Sequence, residues 1–330
     1  MVQNYCTLFD TYYLSRGLTM YKSLAAQTQD FFLYIFAFDD FTYEYLNFLN
    51  LPRVQVISLK EFEDPALKAV KASRSVGEYC WTCTPSTILY CLEKFNLPSC
   101  TYVDADLYFY SSPNSIFSEM PDKSILLTEH HYSSFVKTQQ VAGKFCVQFM
   151  GFKNDSNGLK ALTWWRERCI EWCYDRFEDG KFGDQKYLDD WEQRFAGVHV
   201  MQTRMGGMAP WNLDQYDVYQ KNGEDRAVHR ETGQDGAVIF FHFHALRISD
   251  DGHVSIGNYR YPKPALRILY VKYVKELLRT EDGMAPYFKE KGKVIPRPKA
   301  EPLTLRRRLG ILRRRILGRN NIYLIQDFIK

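Results

Sequence analysis

The chain has 330 residues, of which 45% are hydrophobic and 25% charged, and a formal charge of +4. That composition fits a globular protein able to bury a substantial core. Seven arginines (306, 307, 308, 313, 314, 315 and 319) and no acid fall in residues 303–319. The rest is mildly acidic, which argues against nucleic acid as a partner and puts any anionic partner at the C-terminus. The longest strong apolar run is residues 31–38, far short of the about 18–20 residues of a membrane span. Residues 1–6 show no basic region leading into an apolar stretch, so no secretory signal is expected.

In chain order, residues 2–9 read as a first strand. An amphipathic helix follows, with Leu14, Leu18, Tyr21, Leu24 and Ala25 on one face. Residues 31–38 form a continuous apolar run, the pattern of a strand buried on both faces, and they end at Asp39-Asp40. A short helix through Tyr45 and Leu49 leads to a strand over 54–58. This β-α-β-α-β order predicts an α/β fold whose mainly parallel central sheet is flanked by helices. Ligands in such sheets bind beyond the carboxyl ends of the strands. Helices are expected over 61–71 and 84–95, the second with Pro85 in its first turn. A strand through Thr101, Tyr102 and Val103 leaves through Ser111-Ser112-Pro113. Further strands are expected at 124–128, 145–152, 198–202 and 237–244. Helices are expected at 159–177, at a short element opened by Gly183-Asp184-Gln185, and at 264–279, before a Pro- and Lys-rich linker over 292–302.

The central acidic strand carries the first chemical signal. Asp104 and Asp106 are two residues apart, so in an extended chain both point the same way and reach one cation. A magnesium-like ion takes one or two carboxylates together with substrate phosphates. The pair therefore predicts a metal-dependent enzyme acting on a nucleotide diphosphate. His242 and His244 would share a face of the last strand, and an imidazole ligand favours Mn²⁺ over Mg²⁺. Eight cysteines without secretion predict reduced thiols in a cytoplasmic protein. Cys80 and Cys83 can be read as a redox pair or, with Cys169 and Cys173, as a zinc site; the competing reading is buried apolar thiols. His130-His131 is read either as a surface loop or as part of an acceptor pocket.

These pieces fall in the order found in a known family. Thr7-Leu8, Tyr13, Ser23-Leu24, Cys80-Trp81, Val103-Asp104-Ala105-Asp106, Asp184-Gln185, Asn212 and His242-Phe243-His244-Ala245 together resemble the GT-A-fold glycosyltransferases. The likeness is greatest to family 8 and its relatives that build bacterial surface polysaccharides and lipopolysaccharide. The resemblance implies a GT-A catalytic domain over residues 1–262 and a helical extension over 263–330. It implies a UDP-sugar donor held by Thr7, Leu8, Asp10, Tyr13, Asp104, Ala105 and Arg247. It also implies Mn²⁺ or Mg²⁺ on Asp104, Asp106 and one histidine: His242, which fits the family's His-Phe-x-Gly pattern best with Ala245 in the Gly position, or His244, which could contact phosphate instead. Asp184 and Gln185 would lie beside the transferred sugar, although Asp184 also stands where a helix N-cap belongs. The implied reaction is transfer to a glycan or lipid-linked glycan with retention of anomeric configuration. The chain departs from the family where Cys146-Val147-Gln148 replaces an Asn-x-Gly strand and where no Lys-Pro-Trp follows His244.

Two other readings compete. A sugar-nucleotide nucleotidyltransferase shares a related fold, but presents a Gly-rich basic loop where this chain has Phe9-Asp10-Thr11-Tyr12-Tyr13. The alternative to an enzyme is a non-catalytic membrane-binding protein that kept the fold. Leu305, Leu309, Leu312 and Ile316 recur at spacings of four, three and four among the arginines. They predict an amphipathic helix on an anionic membrane surface, hence a peripheral protein on the cytoplasmic face; the competing readings are a helix packed on the body with its arginines solvated and a coiled-coil partner.

Overall fold

A computed structural model describes residues 2–136, 139–300, 304–316 and 321–329. The chain opens with β1 (Gln3–Phe9), α1 (Leu14–Gln27), β2 (Phe31–Ala37) and β3 (Val54–Ser58). As the apolar patterns predict, α1 buries Leu14, Leu18, Tyr21 and Leu24, and β1 and β2 pair in parallel from Gln3–Phe31 to Phe9–Ala37. α1 lies unusually close to β1, since a Cβ at Gly17 would stand 2.3 Å from the Phe9 ring. Only glycine permits that approach.

The next helix differs from expectation. α2 runs Val76–Lys94, starting well ahead of residue 84. Its start is set by a capping box: Ser75 N–H donates to Glu78 Oε2 (2.7 Å) and Glu78 N–H to Ser75 Oγ (3.3 Å). Pro85 consequently lies inside the helix rather than in its first turn. The helix expected over 61–71 is broken into Leu59–Phe62 and Pro65–Lys71, with Asp64 capping the second piece through Leu67 N–H.

The acidic stretch proves to be two strands, β4 (Ser99–Val103) and β5 (Leu107–Phe109), in different sheets. After them come β6 (Ile125–Glu129), β7 (Phe145–Lys153), α3 (Ser156–Glu171) and β8 (Val198–Val200). α3 stops short of the expected residue 177 because Trp172 turns extended. The seven-stranded sheet has the order β3-β2-β1-β4-β7-β6-β8. β7 alone runs against the other six.

A second layer begins with β9 (Gly206–Met208). An antiparallel unit follows, of β10 (Tyr216–Lys221), β11 (Glu224–His229) and β12 (Asp235–Ala237). The single strand expected over 237–244 is divided between β12 and β13 (Phe240–His242), which pairs with β5 on one side and β9 on the other. β14 (Arg247–Ile248), β15 (His253–Ser255) and β16 (Ile322–Leu324) make a small antiparallel sheet.

The helical segment starting at Lys263 continues into α4 (Val271–Glu290), past the expected residue 279. α4 packs against α1, and its Thr280 hydroxyl accepts from Thr19 Oγ1 and Lys22 Nζ. Tyr273, Leu277, Met284 and Phe288 join the same core as Phe9 and Leu18. α5 (Leu305–Ile316) then leads to β16, and Phe328 returns to that core at 4% exposure. No helix among the described residues is long and apolar enough to cross a membrane.

Candidate active site

The break between β4 and β5 builds the site. Asp104-Ala105-Asp106 bridges the main sheet and the smaller one, and main-chain bonds pin it at each step. Asp104 N–H donates to Gln148 O on β7 (3.0 Å), Leu107 N–H to Asp104 O (3.2 Å), and Phe243 N–H to Asp106 O (3.0 Å). Antiparallel pairing of β5 with β13 sets His242 opposite Leu107. His242 Nε2 therefore lies 3.0 Å from Asp106 Oδ1 and 3.7 Å from Asp104 Oδ2. One ligand atom from each of the three lies within 4.8 Å of the others.

His244 is placed differently from the same-face expectation. β13 ends at His242, and His244 stands in the following turn, its ring centroid 5.8 Å from that of His242. Trp211 braces both, with its ring 5.3 Å from His242 and 5.5 Å from His244. The Trp211 indole N–H donates to His130 O (2.9 Å), as does the Asn212 amide (2.9 Å). Asn212 is thus a buried brace for the loop behind the histidines. His130 is buried, stacked on Tyr132, and not the surface residue of the loop reading. Burial pushes its imidazole down to about 3, so it is neutral. His131 is half-buried beside Glu129, 3.5 Å away.

Burial and mutual charge shape the acids. The Asp104 carboxyl is pushed up to about 6, chiefly by burial and then by Asp106, against the pull of His242. Burial would raise Asp106 too, but the facing His242 overrides it and holds that carboxyl at about 2. Burial opposes protonation of His242, yet the two carboxylates raise it above its ordinary value. The donor set is two carboxylate oxygens and one imidazole, with His242 Nδ1 left without a hydrogen-bond partner. Such a set suits Mn²⁺ or Mg²⁺ with coordination positions left for phosphate.

Asp184 sits behind this group at 5% exposure. Gly183, at φ +51, turns against the Trp81 ring, and the Trp165 indole N–H fixes Asp184 O at 2.9 Å. The Asp184 side chain makes no capping bond, so the N-cap reading does not account for it. Burial, with the charge of Asp104 added, pushes its carboxyl up to about 8. Gln185 follows at half exposure and opens a short 3-10 turn, Gln185–Leu188.

At the end of β1, Thr7 and Leu8 are buried, and Ala105 is 6% exposed. The Asp10 carboxylate accepts from Tyr12 N–H (3.0 Å) and Tyr13 N–H (3.1 Å). Those two amides, which a pyrophosphate loop would offer to its ligand, are already engaged. The Tyr13 ring is 39% exposed, and its phenol feels the charges of Asp106, Arg16 and Asp104. Arg247 is exposed on β14, next to His244 rather than the acidic pair.

Two residues of this centre escaped sequence reasoning, and a third, Gln148, showed there only as a departure from the family. Trp211 is the first. Arg16 is buried, stacks on Tyr13 (4.7 Å), and donates to Tyr12 O and Leu246 O. It has no carboxylate partner among the described residues. Gln148 is fully buried beside Asp104, and neither of its amide atoms finds a partner. The thiols behave as buried apolar groups: Cys83, Cys169 and Cys173 are free and buried, and do not gather with Cys80. Cys6, Cys91 and Cys100 instead come together in the core, from β1, α2 and β4.

No protein-family model matches the chain. It is 31% identical over 291 residues to the uncharacterized protein YfnD of Bacillus subtilis (strain 168), covering 86% of this chain and 92% of YfnD. It is 34% identical over 257 residues to the uncharacterized protein YfnF of the same bacterium, covering 75% and 83%. Among solved structures it is similar to the galactosyltransferase LgtC in complex with donor and acceptor sugar analogs. That match has a TM-score of 0.51 and 12% identity, covering 84% of this chain and 96% of LgtC. It is also similar to the apo-form glycosyltransferase GlyE of Streptococcus pneumoniae TIGR4, with a TM-score of 0.50 and 13% identity, covering 89% and 65%. These likenesses show the GT-A fold.

Proposed function

The chain belongs to the family of YfnD and YfnF, and we propose that it is a metal-dependent glycosyltransferase. It would move a sugar from a UDP-sugar to a hydroxyl of a glycan or lipid-linked glycan in cell-surface polysaccharide or lipopolysaccharide synthesis. The observation that carries this reading is the meeting of Asp104, Asp106 and His242 at the rim of the sheet. The buried Gln148 amide, unpartnered on the residue whose main chain holds Asp104, supports a site built around a ligand. LgtC, whose fold this chain shares, is described with donor and acceptor sugar analogs bound.

Asp104, Asp106 and His242 would hold Mn²⁺ or Mg²⁺, which supplies Lewis-acid stabilisation of the departing diphosphate. The exposed face of Tyr13 would stack on the uracil ring. Arg16, buried and unpaired on the far side of Tyr13, adds a fixed positive charge near the phosphates. Asp184, held neutral near pH 7 by burial, is a poor nucleophile but a good hydrogen-bond donor. It orients a sugar hydroxyl, while the Gln185 amide faces the anomeric centre. With Asp104 and Asp106 taken up by the ion and Asp184 neutral, none of these three carboxyls would be a free nucleophile, and departure and entry on one face, with retention, is the route we propose.

α5 turns its exposed Leu309, Leu312 and Ile316 outward, as a helix lying on an anionic membrane surface would. The side chains of Leu305 and of Arg306, Arg307, Arg308 and Arg315, together with Arg319, lie outside the described residues.

Thermal unfolding with nucleotides, with and without Mn²⁺, tests the donor assignment. UDP with Mn²⁺ is expected to raise the midpoint, other nucleotides not, and Asp106→Asn should remove the metal-dependent part while folding normally. A rise that is the same without metal, or unchanged in Asp106→Asn, contradicts it.

A further inference from the structure

α5 and the sheet β14-β15-β16 enclose a cavity of about 330 Å³. Arg247, Lys299 and Arg314 line it, against one acid, Asp251. That acid is already engaged: its carboxylate accepts from Ser249 Oγ (2.6 Å) and His253 N–H (3.2 Å) and lies 2.8 Å from His253 Nδ1. None of the three cations has an ion pair among the described residues. Among the described residues this concave site carries an excess of positive charge, which suits an anion.

Two buried polar atoms sharpen the chemistry. Asn321 is 5% exposed, and its Nδ2 donates to Gly257 O and to Asn258 Oδ1, each at 2.7 Å. Those two acceptors fix the amide, so Oδ1 is the atom left over, and it has no partner. Arg314 is held in turn by Nη1 donating to Asn258 Oδ1 (3.1 Å), and its buried Nε is likewise without a partner. Both residues line the cavity, and each keeps one polar atom buried in its wall without a partner, a donor on the guanidinium and an acceptor on the amide. A phosphate oxygen satisfies the first and a hydroxyl the second.

The cavity adjoins a second one beside the turn that follows His242. Ala245, Gly257 and Asn258 line both this cavity and a neighbouring one of about 650 Å³ that reaches Tyr259 and Ser133. Ala245 directly follows His244, whose ring faces that of Tyr259 (6.4 Å). A Cβ on Gly257 would meet Ala245 Cβ at 3.1 Å and the Tyr259 ring at 3.3 Å, so the wall shared by the two cavities is closely packed there.

We propose that this cavity is the anchor of the acceptor, and that the acceptor is a phosphate ester rich in hydroxyls. Its phosphate sits among Arg314, Lys299 and Arg247, a hydroxyl meets Asn321, and the chain beyond runs through the larger cavity to Asp104, Asp106 and His242. The word acceptor rests on the glycosyltransferase reading; the anion site does not. The same headgroup chemistry exists in soluble polyol phosphates and in phospholipids.

Calorimetric titration of the full chain with glycerol 3-phosphate, inorganic phosphate and glycerol tests the site. Saturable binding is expected for glycerol 3-phosphate, weaker binding for phosphate alone, and none for glycerol. Arg314→Gln and Lys299→Gln should each weaken it about tenfold, the loss of one charge-assisted contact. Lys299 is exposed, so its variant reports on binding even if the Arg314 variant folds poorly. Tighter, Arg314-dependent binding to phosphatidic acid vesicles than to glycerol 3-phosphate assigns a lipid-borne ligand, and the reverse a soluble one. No saturable binding, or binding that survives both substitutions, overturns the proposal. UDP and Mn²⁺ titrated into the same wild-type protein report separately on the donor reading, so either can fail alone.

Discussion

Asp184→Asn is expected to make the ligand-free protein more stable while removing transfer activity. The carboxyl is 5% exposed and raised from 3.8 to about 8 in the folded chain. A folded value above the unfolded one means that folding favours the protonated form. That contribution is complete below the unfolded value and is lost as pH climbs from about 4 to about 8. At pH 7 the wild-type fold gives up at most about 4 kcal/mol to keep this group neutral, counting about 1.4 kcal/mol per pH unit. An amide of the same shape has no such dependence. Urea unfolding between about pH 4 and 8.5 should show the two proteins converging at the acid end and the variant ahead at the alkaline end. Adding Mn²⁺ should narrow the gap, because Asp104 contributes to the shift and the ion would offset its charge. A variant no more stable at pH 8, or a gap that widens on acidification, refutes the reasoning.

Arg16→Met keeps the apolar stem and removes the charge; UDP affinity should fall about tenfold with uridine affinity nearly unchanged. Equal losses for both ligands would reassign Arg16 to holding Tyr13. Gly17→Ala forces a Cβ into the Phe9 ring, and urea unfolding should show a loss of about 1–3 kcal/mol from overpacking. An unchanged midpoint would mean that α1 can retreat from β1. Leu309→Asp with Leu312→Asp should abolish flotation of the full chain with anionic vesicles, since both residues are exposed; equal flotation removes the membrane reading. Substitution is preferable to truncation before residue 303, which would also delete β16 and the buried Phe328.

What was legible in the sequence was local. The Asp104/Asp106 spacing, the apolar run of β2 and the amphipathic face of α1 are properties of neighbouring residues, and all reappear in the fold. α2 was misplaced because its proline outweighed the Ser75/Glu78 capping box, although both signals were present. The strand over 237–244 read as continuous because its apolar alternation does not reveal that β12 and β13 serve different sheets. The antiparallel direction of β7 has no local signature. Arg16 and Trp211 were invisible for a related reason, and Gln148 was legible only as a departure from the family's strand. Each gains meaning only from a partner far along the chain: Leu246 for Arg16, the two histidines for Trp211, and Asp104 for Gln148. His242 and His244 read as sharing one strand face, with His242 the better metal ligand; the end of β13 at His242 removes the shared face.

The central claim is that Asp104, Asp106 and His242 grip a divalent ion that meets the donor's phosphates. Crystals soaked with MnCl₂ and UDP, measured at the manganese absorption edge, address it directly. The account predicts one anomalous peak within coordination distance of all three side chains and of the diphosphate. A peak elsewhere, or UDP bound with no metal among these residues, would contradict it.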